Sequence, residues 1–350
     1  MLKFINFPLW IIFSILSFGI LTHEIIVDET ISNANASIIK TIESDNDEII
    51  DCYSIHKQHA FSNPLFRNHP IQMRPSSYPQ GVQPKEQKKF ELTQTWHKYG
   101  LCPEGTVPIR SKHLHPSSSD DVTTTNEYAS ITPIGENFQG AQATINLWKP
   151  LIEQPREFSA SQIWISTGDK EAIEAGLEVN KNLYGDEKPR IFVYWTVTDH
   201  FNSTGCYNIQ CRGFVQTTSK ISLDFIFNNL SIFRGTQYSA DFIMFKVKTS
   251  SNIQGIVVGY WPHFLFKQLS TKATRIDFGG QISNTKPNMR HTKTQIGSVK
   301  VFDGNYEAKV PGTVFMIQSN TNCYGLSLGQ TDSSGIIFYY GGPGFSSTCQ

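Results

Sequence analysis

The sequence predicts an all-β protein, an antiparallel sandwich or barrel, and three observations carry that expectation. Aromatic residues are abundant, with 24 Phe, 13 Tyr and 6 Trp, and such side chains favour pleated, half-buried surfaces. Short apolar runs recur between Gly, Pro and Asn punctuation. Only one stretch, Pro262–Ala273, has helical spacing, with Leu265 and Leu269 one turn apart. The strand candidates are Arg190–Thr198, Ser239–Lys248, Gly255–Trp261, Gly312–Gln318 and Gly335–Tyr340. In the first, Ile191, Val193, Trp195 and Val197 share one face, and Phe192 and Tyr194 share the other. Both faces carry bulk, as a covered sheet requires. No repeat of solenoid or propeller length is visible.

Composition narrows the function. The 350 residues hold 30 Lys+Arg against 30 Asp+Glu, a formal net charge of zero. A nucleic-acid binder held by phosphate neutralisation needs clustered basic excess, so that class is excluded. With 39% hydrophobic and 17% charged residues, the chain can bury a core, and global disorder is excluded too.

The N-terminus reads as an address. Lys3 precedes an uncharged apolar run from Phe4 to Leu21, broken by Pro8 and followed by Thr22-His23-Glu24. This is the pattern of a secretory signal peptide, with removal expected near Thr22. The product is expected to be secreted, into the extracellular space, cell wall or vacuole, with no membrane attachment afterwards. Six cysteines suit an oxidising compartment. Their positions suggest Cys52–Cys102, Cys206–Cys211 and Cys323–Cys349, each closing a loop within one segment. Glycosylation sequons stand at Asn35, Asn202 and Asn229.

Five regions follow. Residues 1–22 are the signal peptide, and 23–50 form an acidic, mobile segment ending in Glu43-Ser-Asp-Asn-Asp-Glu48. Residues 51–110 form a Cys-bounded segment with five prolines between Pro64 and Pro84. Residues 111–127, rich in Ser, Thr and Asp, read as an exposed linker. The strand signals occupy 128–350. Six of the ten histidines (56, 59, 69, 97, 113 and 115) fall between residues 51 and 116. Their protonation would charge this one segment in acid.

Familiar catalytic motifs fail on context. Gly325-Leu-Ser327-Leu-Gly329 matches G-x-S-x-G, but a second strand signal follows it where a nucleophile elbow needs a helix. No H-E-x-x-H or C-x-x-C appears, and His113 and His115 lie in the linker, so no metal or cofactor is expected.

Asp51–Met73, Gln94-Thr-Trp96 and Gly100–Pro108 resemble the neprosin activation peptide of plant secreted proteins. Gly140-Ala141, Ile145–Trp148, Ser161–Trp164, Ile173-Glu174-Ala175-Gly176 and Thr204–Asn208 resemble the neprosin catalytic domain. The likeness continues through Gly213–Gln216, Gly259–Pro262, Phe278–Gly280 and Phe338–Gly344. The resemblance implies a secreted zymogen: a small Cys-bounded pro-segment that acts as an intramolecular inhibitor, then an antiparallel β-sandwich. It implies an acid endopeptidase of glutamic type that cuts proline-containing peptides or proteins after proline, without metal or cofactor.

The resemblance assigns the first catalytic glutamate to Glu174. The second stands in a W-G-G-E motif, aligned here with Phe278-Gly279-Gly280-Gln281, so the second position is Gln281. Glutamine mimics a protonated carboxyl as a donor but cannot shuttle a proton. The alternative is therefore an impaired relative that binds proline-rich peptides or cell-wall proteins without cutting them. Trp164, Tyr260, Trp261 and Tyr340 are candidates to line a groove for a rigid proline ring.

Overall fold

A computed structural model describes residues 4–16, 37–45, 48–82, 94–111, 125–154, 156–167, 171–197, 205–227, 229–247, 256–285 and 294–342. The apolar N-terminal run forms β1 (Phe4–Leu16). Three strands follow and form an antiparallel sheet: β2 (Ile38–Glu43), β3 (Ile49–Ser54) and β4 (Thr106–Arg110). β2 and the start of β3 come from the 23–50 segment expected to be mobile, whose end is instead ordered by pairing with the Cys-bounded segment. The rest of the chain supplies β5 (Thr125–Pro133), β6 (Gly140–Asn146), β7 (Phe158–Thr167), β8 (Glu171–Asn180) and β9 (Arg190–Thr196). Next come β10 (Cys206–Tyr207), β11 (Val215–Gln216), β12 (Gln237–Val247), β13 (Ile256–Pro262) and β14 (Arg275–Asn284). The last are β15 (Thr294–Phe302), β16 (Ala308–Lys309), β17 (Val314–Gln318), β18 (Gly325–Asp332) and β19 (Gly335–Gly341). A single turn of helix, α1 (Lys181–Tyr184), joins β8 to β9 and is capped by the Asn180 side chain.

The expected all-β class is what the chain adopts. One sheet has seven antiparallel strands in the order β10-β9-β8-β7-β14-β5-β17. The other has nine strands, ordered β11-β13-β1-β12-β6-β15-β19-β18 with β16 beside β15. It is antiparallel except around β1, which runs parallel to both β12 and β13. Thr22, where signal removal is expected, lies outside the described residues. Among the described residues no helix is long and apolar enough to cross a membrane.

One core lies between the sheets. Ile163, Ile173, Ala175 and Val193 of the seven-stranded sheet share it with Ala143, Phe242, Val258 and Ile296 of the other. Side chains alternate across a strand. The partners of these core residues, at even positions on β7, β8 and β9, therefore point away from the second sheet.

The small sheet docks through side chains that imitate backbone pairing. Gln94, fully buried, donates Nε2 to the Ser222 carbonyl at 2.8 Å, and its Oε1 accepts the Ser222 N–H at 2.8 Å. Gln58 does the same to Gln216, at 2.8 and 2.9 Å. His69 meets the Tyr260 hydroxyl at 2.9 Å. Glu48 pairs with Arg190, which is wholly buried.

Cys52–Cys102 and Cys206–Cys211 are bridged as expected. Cys323 is also disulfide-bonded, and its expected partner Cys349 lies outside the described residues, as do Asn35, Asn202, His113 and His115. Asn229 is described and exposed. The G-x-S-x-G match is part of the hairpin strand β18. The helix expected over Pro262–Ala273 is absent: only His263–Leu265 forms a 3₁₀ turn. The reason is Glu171, whose buried carboxylate accepts the backbone N–H groups of Lys267, Gln268 and Leu269 at 2.6, 2.9 and 2.7 Å. Those donors are taken by a side chain, so Leu265 and Leu269 are buried on a loop instead.

Candidate active site

The outward face of β8 carries Glu174, Gly176 and Glu178, in a strand whose every residue is buried. Register decides what stands beside each. Glu174 pairs with Trp164 on β7 and Tyr194 on β9, and Trp164 in turn pairs with Asp277 on β14. One row across the sheet thus reads Asp277–Trp164–Glu174–Tyr194. The next row on this face reads Gly279–Gln162–Gly176–Phe192, and the third reads Gln281–Ala160–Glu178–Arg190.

Glu174 is 4% exposed. Its Oε2 accepts a hydrogen bond from Gln162 Nε2 at 2.7 Å, while its Oε1 is buried with no partner. Burial raises its pKa to about 8; the negative charges of Glu178 and Asp277 add to the rise, and the Gln162 bond opposes it. Glu174 is therefore protonated in acid, a loaded donor with one oxygen committed and one free.

Asp277 is a different carboxyl. Arg275 Nε donates to its Oδ2 at 2.6 Å and Arg275 Nη2 to its Oδ1 at 2.8 Å, and Thr132 Oγ1 donates to Oδ1 as well. Every partner is a donor, so both of its oxygens act as acceptors. Two strand spacings separate Glu174 from Asp277, roughly 10 Å between Cα atoms. Trp164 forms the floor between them.

Gln281 is not in that row. It lies two strands over and four residues along, roughly 16 Å from Glu174 at ordinary strand spacings. The expected pairing of Glu174 with Gln281 does not match this register. The amide that touches Glu174 is that of Gln162, and the carboxylate across Trp164 is that of Asp277. The motif alignment fixes sequence position but cannot count register across β7. A usable signal was present: 277, 279 and 281 alternate onto one face of β14, and the first of them is an acid.

Of the four aromatic candidates, only Trp164 belongs to this face. Tyr340 is turned into the sandwich against Gly280 and Ser161. Trp261 is fully buried against Phe214. Tyr260 lies on the other sheet under His69. Tyr260 and Trp261 are consecutive in β13 and so point to opposite faces, both of them covered, and bulk alone does not reveal which face of a strand is open. The aromatic residues beside Glu174 are instead Tyr194, Phe192 and Tyr207, with Tyr194 and Tyr207 rings 4.8 Å apart at their centroids.

The middle row needs its glycines. A Cβ on Gly176 would lie 2.1 Å from the Ser161 carbonyl oxygen. One on Gly279, at φ +157°, would lie 2.2 Å from that of Ala129. Among the described residues no group of His, Cys, Asp and Glu is placed to hold a metal ion.

The neprosin family model matches residues 155–343, more than half of the chain. The neprosin activation peptide model matches residues 41–143, which extends past the Cys-bounded layer into β5 and β6. Among solved structures, scytalido-glutamic peptidase crystallised with a peptide-based transition state analogue is similar over 62% of this chain and 98% of its own. The identity is 14% and the TM-score 0.31. The strands β7, β8, β9 and β14 that build the acidic face fall within the first match, and β3 and β4 of the small docked sheet within the second: the chain belongs to the neprosin family.

Proposed function

We propose that the chain is the precursor of an acid endopeptidase that hydrolyses proline-containing polypeptides with two carboxyl groups, Glu174 and Asp277. The observation that carries this reading is the free, buried Oε1 of Glu174 in one row with Trp164 and Asp277. Water attack on an amide needs a base for the water proton and a donor for the carbonyl oxygen. Protonated Glu174 supplies the donor. Asp277 takes the proton as water oxygen bonds to the carbonyl carbon. It returns that proton to the amide nitrogen as the C–N bond breaks, and Glu174 ends with its own proton. Trp164, Tyr194, Phe192 and Tyr207 offer flat apolar surface against which a proline ring can pack.

The precursor state fits the burial of this face. Glu174, Gln162 and Trp164 are all at most 9% exposed in the intact chain. The hydrogen bonds of residues 48–111 end elsewhere: among the described residues none reaches Glu174, Gln162, Trp164 or Asp277. The Cys-bounded segment therefore acts from beside the site in this reading, and the linker at 111–127 is where cutting would separate it. We place the mature protein outside the cell, after removal of the leader.

Acid incubation with a proline-containing peptide tests the reading. Cleavage after proline is expected, and Glu174→Gln and Asp277→Asn should each lower it about 10²–10⁴-fold. Full activity in either variant would sink the mechanism. A second reading, binding without turnover, is favoured by Gln281 standing where the family motif has glutamate. It predicts binding with no cleavage, and cleavage gained in Gln281→Glu.

A further inference from the structure

The histidines that gather in and beside the Cys-bounded segment do not share one environment. His59 Nδ1 lies 3.2 Å from the Gln210 carbonyl oxygen, and His97 Nε2 lies 2.9 Å from that of Lys220. A carbonyl oxygen accepts from a charged imidazole as well as from a neutral one. His56 is exposed. Protonation therefore gives none of these three a reason to leave.

His69 is placed differently. It is half-buried, and the ring centroids of Phe66, Phe264 and Tyr260 stand 5.6, 5.5 and 5.7 Å from its own. Tyr260 Oη accepts the Gln72 N–H at 3.2 Å, which leaves the hydroxyl proton for His69 Nε2, 2.9 Å away. A neutral ring can accept that proton; a charged ring, with hydrogen on both nitrogens, cannot. His263 of the sandwich lies on the same aromatic group, its centroid 5.7 Å from that of Phe264. Its Nε2 is buried with no partner among the described residues.

The titratable and charged groups around this pair are Tyr260 on β13, Lys246 on β12 and Arg67 on the segment itself, and none is an acid. Tyr260 adds no charge, since burial lifts its pKa to about 12. Burial holds the pKa of His69 below the ordinary histidine value. It does the same to His263, and the charges of His69 and Lys246 add to the fall. Aromatic rings attract a cation, but the lost water and the like charges outweigh that attraction here.

We propose that His69 and His263 form an acid-opened latch, which holds residues 59–72 against the sandwich at neutral pH and releases them as the two rings take up protons. Each ring is neutral while packed and accepts a proton more readily once released. The latch is therefore fully closed above the ordinary histidine pKa of 6.5 and weakens as pH falls below it. Opening needs no hydrolysis; that it prepares a peptidase for ripening rests on the reading above.

The test is deuterium exchange on the intact, uncut chain. Between about pH 7 and about pH 5, the protection of residues 59–72, corrected for the intrinsic rate, should fall about tenfold, the scale of one proton bound on opening. The amides of β4, paired to β3 within the small sheet, should keep theirs. His69→Phe, which keeps the ring packing and cannot titrate, and His263→Gln should each shrink the fall. No fall in the parent, a fall undiminished in both variants, or one shared equally by β4 overturns the latch. Residues 59–72 opening in acid while a proline-containing peptide stays uncut would overturn the hydrolytic reading and leave the latch standing.

Discussion

Two groups of buried acids lie within this fold, and their partners differ. Glu48 of the small sheet faces Arg190, Arg110 and Lys188, with Asp186 on the same cations. Burial pushes Asp186 upward, but the hydrogen bonds and charge of Arg190 more than offset it and hold the group below the usual range. Glu174 and Glu178, on the outer face of β8, have no cation within salt-bridge distance among the described residues. Burial carries both to about 8. Even Glu171, three residues before Glu174 on the opposite side of the strand, has three backbone donors where Glu174 has one side-chain donor. The acids of the first group sit among cations; those on the outer face do not, and burial leaves them their protons. That contrast separates architecture from chemistry more sharply than burial does.

The contrast breaks most visibly at Glu174. Substitution by glutamine should cost about 10²–10⁴-fold in peptide cleavage, the scale of lost acid–base catalysis. Unfolding in urea should show no loss of stability, because a neutral amide replaces a group that is already neutral in acid. Arg190→Met should do the opposite. It removes the wholly buried cation that Glu48 and Asp186 share and leaves Glu48 only the more distant Arg110 and Lys188. Breaking a buried pair costs about 3–5 kcal/mol, readable as a lower urea midpoint. Gln94→Ala should be milder, about 1–3 kcal/mol, since it orphans the Ser222 backbone groups.

Acidity sharpens the comparison further. The folded pKa values of Glu174 and Glu178 stand above their ordinary 4.5. Their contribution to stability is complete below pH 4.5. It falls as pH climbs toward about 8 and levels off above that, because the unfolded chain gives up these protons first. The melting temperature should decline over this window. Replacing both glutamates by glutamine should flatten the decline, and a slope unchanged in the double variant would show that other groups set it.

The strands were legible because β-branched and aromatic runs between turn residues leave little choice. Arg190–Thr198 ends only two residues beyond the observed β9. Glu174 was legible through its motif. Asp277 was not, since strand register is a property of pairing, and a shift of four residues along β14 moves a side chain by about 13 Å. The helix expected near Leu265 failed for a related reason. A distant carboxylate, Glu171, took the backbone donors, and no local pattern announces a partner roughly a hundred positions away.

Both bridges seen in full, Cys52–Cys102 and Cys206–Cys211, start and finish on the same side of the 111–127 stretch. Neither tethers the small N-terminal layer to the sandwich. A single cut there would leave two pieces held only by reversible contacts, with the N-terminal piece still looped on itself. Dilution or a change of pH could then part them without any reducing agent, so the protein could ripen in an oxidising compartment.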